Sequence, residues 1–188
     1  MEKELPVRKS IRLQGYDYSS NGAYFITICV KDGHEMLRDE RVYVGARIAR
    51  PLSDIGKVVK TTIENIPKIY NGVFIDIFTI MPNHIHMIVR IENSRRAISK
   101  DGRAMRAPTI SRIINQFKGY VTKQIGFSIW QKLFYDEIIR NEQAYNSIWH
   151  YIDENPEKLA EDEFYGDILN GKIIQNGTGI LESLSRRH

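Results

Sequence analysis

Apolar positions along this chain change their period several times, and each change marks an element. Ala23–Val30 (Ala-Tyr-Phe-Ile-Thr-Ile-Cys-Val) is dense in aromatic and β-branched residues and predicts a strand. A basic segment, Arg8–Leu13, and a turn-rich stretch, Gly15–Gly22, lead into it. Residues 31–50 hold no sustained period and read as an excursion with a short strand near Val42–Val44. From Ser53 the period becomes helical: Ile55, Val58, Val59, Thr62, Ile63 and Ile66 form one stripe, with Ser53 as N-cap and Pro67 as the stop. Val73–Met81 and His84–Ile91 read as antiparallel strands joined at Pro82-Asn83, although proline departs from the Asn-Gly chemistry of two-residue turns. After a polar, basic connector (residues 92–107), Pro108-Thr109 opens an amphipathic helix with Ile110, Ile113, Ile114, Phe117, Val121 and Ile125 on its core side and Gly126 as terminator. Leu133–Arg140 is a fourth strand, and Asn141 caps a helix from Glu142 to about Glu154, ahead of Pro156.

The order strand, helix, strand, strand, helix, strand predicts an α+β fold. It is a ferredoxin-like antiparallel sheet with helices on one face, followed by an additional C-terminal helix that carries Tyr151. Residues 1–160 are expected to form one domain and residues 161–188 a partly ordered tail with Gly-rich turns.

Composition narrows the class. The chain has 188 residues, 42% hydrophobic and 27% charged, as expected of a globular protein with a real core. No apolar run approaches the ~20 residues of a membrane span, and the start of the chain is unlike a signal peptide, so a cytoplasmic protein without membrane contact is expected. One cysteine, Cys29, excludes an internal disulfide and reads as a buried thiol. Net charge is +4 with a pI of about 9.1, which permits a polyanionic partner. The charge is uneven: residues 95–106 carry five positive charges against one negative, while Asp153–Asp167 is acidic.

Chemistry concentrates at two places. His84 and His86 stand two apart in a strand, so both imidazoles project from one face, about 7 Å apart along the chain and able to converge on one cation. Two polar rings in so apolar a strand need partners. In the last helix Tyr151 and Asn155 lie four apart on one face, with Ile148, Ile152 and Tyr145 marking a neighbouring stripe that anchors the helix to the sheet. Brought together, two imidazoles and an amide oxygen would hold a divalent cation, and the Tyr151 phenol would attack a phosphate and form a phosphotyrosine. On the residues alone, satisfied core histidines and a chance Tyr-Asn pair remain open alternatives.

The context Met81-Pro82-Asn83-His84-Ile85-His86 resembles the histidine–hydrophobic–histidine signature of the single-tyrosine HUH (IS200-like) transposases, and more closely the REP-associated tyrosine transposases. Arg8–Leu13 with Gly15–Tyr18, Gly22–Ile28, Gln116–Lys123, Ile129–Lys132, Ile138–Glu142 and Tyr151–Pro156 extend the likeness over about residues 8–158 in consistent order. The resemblance implies a ferredoxin-like enzyme that cuts and rejoins single-stranded DNA next to a hairpin, using Mg²⁺ or Mn²⁺ and a 5′-phosphotyrosine intermediate. It assigns metal binding to His84, His86 and Asn155 and the nucleophile to Tyr151, and a monomer is favoured over a homodimer.

Tyr120 is the rival nucleophile, flanked by Lys118 and Lys123, but its helix offers Gln124 and no asparagine four residues on. Lys118, Lys123 and Arg140 are expected phosphate contacts, on a pattern that solvated helix faces share. His34, His150 and His188 read as surface residues; His150 points about 100° away from Tyr151 around the helix. Trp130 and Trp149 read as core. Two other functions share these features: a non-catalytic module gripping nucleic-acid hairpins on the same sheet, and a metal-dependent phosphodiesterase using activated water.

Overall fold

The computed structural model describes residues 17, 20–39, 42–44, 47–92 and 108–154. Strand β1 (Gly22–Cys29) runs into a 3-10 turn at Lys31–Gly33. A two-stranded ribbon, β2 (Val42–Val44) with β3 (Arg47–Ala49), precedes helix α1 (Asp54–Ile69). The hairpin β4 (Val73–Ile80) and β5 (His84–Ile91), helix α2 (Ile110–Ile125), strand β6 (Tyr135–Ile139) and helix α3 (Glu142–Glu154) complete the order. The long strands form one antiparallel sheet in the order β4-β5-β1-β6, which is the ferredoxin-like arrangement expected from the element order. The expected short strand at Val42–Val44 is present, and its partner β3 had no counterpart in the sequence reading. The expected tail, residues 161–188, lies outside the described residues, as do Asn155 and Pro156.

Alternation along the strands sorts side chains into two cores. Tyr24, Ile26 and Ile28 of β1 and Ile85, Met87, Val89 and Ile91 of β5 pack under α1 and α2. Phe25 and Ile88 point the other way and join Ile139 beneath Ile148 and Ile152 of α3. The sheet is therefore covered on both faces, which is why β1 and β5 read as nearly continuous apolar runs. A side chain buried as fully as Ile26 contributes about 1.5–3 kcal/mol relative to exposure.

The caps form as their residue types require. Ser53 Oγ accepts from Gly56 N–H at 3.0 Å, Thr109 Oγ1 from Arg112 N–H at 3.2 Å, and Asn141 Oδ1 from Ala144 N–H at 2.8 Å. Gly126 closes α2 in the left-handed region at φ 88°. Pro67 corrects one expectation, because α1 continues through it to Ile69. Proline removes a single bond close to the helix end, buried Ile63 and Ile66 hold the last turn to the sheet, and Tyr70 N–H still reaches the Ile66 carbonyl at 3.0 Å.

Two irregularities position the site. In β4, Ile75 pairs with Val89 and Ile77 with Ile88, so Asp76 is an extra, bulged residue. The bulge resets the alternation: Ile75 serves the first core, Ile77 the second, and Thr79 lies directly opposite His86. In the turn, Met81 N–H donates to His84 O at 2.8 Å, Leu37 N–H to Pro82 O at 2.9 Å and Val30 N–H to Asn83 O at 2.8 Å. Proline suits this turn because both turn carbonyls are held by neighbouring chain segments and no N–H is required of residue 82.

The Leu37 segment is itself held by close approach of α1. A Cβ built on Gly56 would stand 2.0 Å from the Leu37 carbonyl oxygen. Gly56→Ala should therefore destabilise the protein by at least about 2 kcal/mol, although alanine gains about 1 kcal/mol in helix propensity. Urea unfolding tests this, and an unchanged or raised midpoint would contradict it.

Candidate active site

Antiparallel pairing places Thr27 opposite His86 and Cys29 opposite His84, all on the face that α3 covers. Both imidazoles are completely buried. Their Nε2 atoms face each other at 3.0 Å, with ring centroids 4.5 Å apart. Each Nδ1 is held from behind. His84 Nδ1–H donates to Asn83 Oδ1 at 2.7 Å, which leaves His84 Nε2 as a lone pair in the neutral ring. His86 Nδ1 lies 2.9 Å from Thr27 Oγ1, a hydroxyl able to donate or accept and so to support either tautomer.

The Tyr151 hydroxyl lies 3.3 Å from His86 Nε2. Phe25 shapes this corner, stacked on His86 at 5.3 Å and edge-on to Tyr151 at 6.2 Å, while Tyr151 and His86 are 5.3 Å apart by ring centroid. Tyr151 is half-buried, so it is the member of the trio that reaches the surface. Three functional side chains expected from sequence, His84, His86 and Tyr151, thus meet at one point.

This arrangement fits a divalent cation. Two lone pairs facing each other in a dry interior repel unless a proton or a cation lies between them. Two ligands at right angles on an ion with bonds of about 2.1 Å lie about 3 Å apart, and the two Nε2 atoms match that spacing. Partners on both Nδ1 atoms are the outer contacts that orient metal-binding imidazoles. Among the described residues no third His, Cys, Asp or Glu joins the pair. Asn155, the expected third ligand, lies outside the described residues.

The expected phosphate contacts are not gathered here. Lys118 is buried on α2, and its ammonium donates to Gln131 O at 3.0 Å and Leu133 O at 2.8 Å. Burial pushes it down to about 8, against the opposing charge of Cys29. The geometry gives Lys118 a structural role, fastening the chain ahead of β6. Lys123 is exposed on α2, whose apolar side packs on the opposite face of the sheet. Arg140 is exposed just past Ile139, which pairs with Ala23 at the far end of β1 from His84. Tyr120 is exposed on α2, His34 and His150 are exposed, and Trp130 and Cys29 are buried, as expected. Trp149 packs against the α3 core.

Sequence reasoning missed Thr27, Asn83 and Phe25. Thr27 is the one aliphatic hydroxyl in an apolar strand, and its meaning needed the register with β5. Asn83 occupied a turn whose chemistry looked wrong, and its amide proves to serve the histidine beside it.

A family profile described as "Transposase IS200 like" matches residues 19–155, and the chain belongs to that family. An uncharacterized protein of Haemophilus influenzae is 37% identical over 179 residues, an alignment spanning 85% of this chain and 94% of the relative. Among solved structures, a REP-associated tyrosine transposase bound to a REP hairpin aligns with a TM-score of 0.56 at 20% identity, over 83% of this chain and 79% of the other, and shares the fold. A putative transposase from Deinococcus radiodurans aligns at 15% identity with a TM-score of 0.43, over 76% of this chain and 95% of that one. Among the described residues no helix is long and apolar enough to cross a membrane.

Two outcomes follow from this geometry. Asn83→Ala should weaken Mn²⁺ binding about 10–100-fold; titration calorimetry reads this, and an affinity within twofold of the parent would contradict it. Lys118 binds its proton less tightly folded, at about 8, than at its ordinary value of 10.5. The unfolded chain therefore holds more protons between these values, so this group makes stability rise as pH climbs from about 8 towards 10.5. Urea unfolding at several pH values should show that rise reduced in Lys118→Met, and an identical slope in parent and variant would refute the assignment.

Proposed function

We propose that this protein cuts and rejoins single-stranded DNA beside a hairpin, through a covalent 5′-phosphotyrosine on Tyr151. The observation that carries the reading is the Tyr151 hydroxyl 3.3 Å from His86 Nε2, at the edge of the paired ring nitrogens. Membership of the IS200-like transposase family supports a transposase chemistry, and the fold is shared with a protein solved on a REP hairpin.

The phenol is a weak nucleophile while protonated, with an ordinary pKa near 10. In the step proposed, its oxygen bonds to phosphorus, the bond from phosphorus to the 3′-oxygen breaks, and that oxygen leaves as a 3′-hydroxyl carrying a proton. One ester replaces another, so the bond energy is kept and attack by a 3′-hydroxyl reverses the step. His84 and His86, with Asn155, would hold Mg²⁺ or Mn²⁺. The ion would supply polarisation of a phosphate oxygen and neutralise developing charge. Nitrogen and oxygen donors suit such ions, and no second cysteine exists to build a thiolate site. Phe25 sets the planes of His86 and Tyr151, and the buried imidazoles keep bulk water from the reacting phosphorus. One chain supplies His84, His86 and Tyr151, which suits action as a monomer.

Tyr151→Phe should reduce covalent protein–oligonucleotide adducts at least about 1,000-fold while leaving DNA binding intact. His84→Ala or His86→Ala should remove Mn²⁺-dependent cleavage. A denaturing gel with labelled hairpin-containing oligonucleotide reads both. Adducts surviving in Tyr151→Phe would move the nucleophile to Tyr120; cleavage without adducts would favour activated water; binding without cleavage would favour a hairpin-binding module.

A further inference from the structure

Helix α3 rests on the sheet through Ile148 and Ile152, an apolar bearing that resists lifting far better than rolling. At about 100° per residue, Tyr145 and Trp149 lie on one flank of that bearing and Tyr151 on the other. The Tyr151 flank meets Phe25 and His86. The opposite flank carries a directional contact: Tyr145 O–H donates to Asp76 Oδ2 at 2.9 Å.

Asp76 is itself fixed. It is the bulged residue of β4, and Arg90 Nε of β5 donates to both its carboxylate oxygens, at 2.8 and 3.1 Å. Arg90 lies over the Phe74 ring at 4.6 Å and is further paired with Glu92. The Asp76 side chain is 10% exposed, so the carboxylate is shielded from competing water. Tyr145 and Trp149 rings lie 6.0 Å apart, which stiffens the flank. Burial and the Asp76 carboxylate push the Tyr145 phenol up to about 12, so it stays a donor under ordinary conditions.

We infer that Asp76, held by Arg90 and bonded to Tyr145, sets the roll of α3 and so the aim of the Tyr151 hydroxyl. Asp76 and Tyr145 act as positioning residues, bonded to each other, with Arg90 bonded to Asp76. Side-chain tips stand about 5–6 Å from a helix axis, so a roll of about 20° moves a tip by about 2 Å. A misplacement of about 1 Å can cost 100-fold in rate. The inference rests on the reading of Tyr151 as the nucleophile, but the aim of its ring is measurable without any reaction.

The test uses the full chain with 3-fluorotyrosine at position 151, observed by fluorine NMR, together with adduct formation at saturating oligonucleotide and Mn²⁺. Tyr145→Phe and Asp76→Asn should each shift or broaden the fluorine line and lower the adduct-forming rate about tenfold or more, with KM for DNA and Mn²⁺ affinity within twofold. The double variant should be no slower than the slower single. Ile63→Val, which trims the core under α1, should lower the melting temperature with the fluorine line unmoved. An unmoved line in Tyr145→Phe, or losses that multiply in the double variant, would overturn the inference. A parent protein forming no adduct would instead sink the strand-transfer reading, leaving the fluorine line to judge the role of Asp76.

Discussion

Two imidazole nitrogens held 3.0 Å apart in a dry interior are the constraint on which the remainder of this structure depends. Such a pair needs a proton or a cation between its nitrogens, and several contacts of the fold hold it in place. Thr27 on the neighbouring strand and Asn83 in the turn fix the ring orientations from behind. The turn is held in its own right by Val30 and Leu37, and Arg38 donates to the Ile80 carbonyl at the adjoining end of β4. Rings pre-oriented in a low-dielectric site gain most from a charge they are aimed at.

The sheet serves two masters through its alternation. One set of side chains in β1 and β5 builds the core under α1 and α2, which supplies most of the buried apolar surface. The other set is divided along its length: Phe25 and Ile88 pack against α3, and Thr27, His84 and His86 line the candidate site. Because both sets share two strands, the site is as rigid as the core behind it. Helix α3 brings Tyr151 to that rigid half and is attached to the sheet through the Ile148–Ile152 cluster and the Tyr145–Asp76 hydrogen bond. On the proposed reading the Tyr151 nucleophile is aimed by one side-chain contact of this helix, while the two Nε2 atoms are fixed by the sheet itself.

Much of this was legible in the residues. Period and punctuation located every long element, since Ser53, Thr109, Gly126 and Asn141 each satisfy a backbone need that few residue types can meet. The His84–His86 spacing declared one face of a strand, and the Ile148–Ile152 stripe declared which side of α3 would meet it. Other features depend on partners distant in sequence. The bulge at Asp76 has no local signal, because it is defined by its register with β5. Lys118 looks like any solvated lysine until the 131–133 segment is folded across its ammonium. Pro67 reads as a stop on propensity alone, yet the buried residues before it hold the final turn.

The central claim is that His84 Nε2 and His86 Nε2 share one divalent ion beside the Tyr151 hydroxyl. The most direct test is a crystal structure of the protein soaked in Mn²⁺, read by anomalous scattering. The account predicts a single strong peak about 2.1–2.3 Å from both Nε2 atoms, on the side facing Tyr151. No peak there, with the two rings joined by a direct N–H···N hydrogen bond at saturating Mn²⁺, would contradict it.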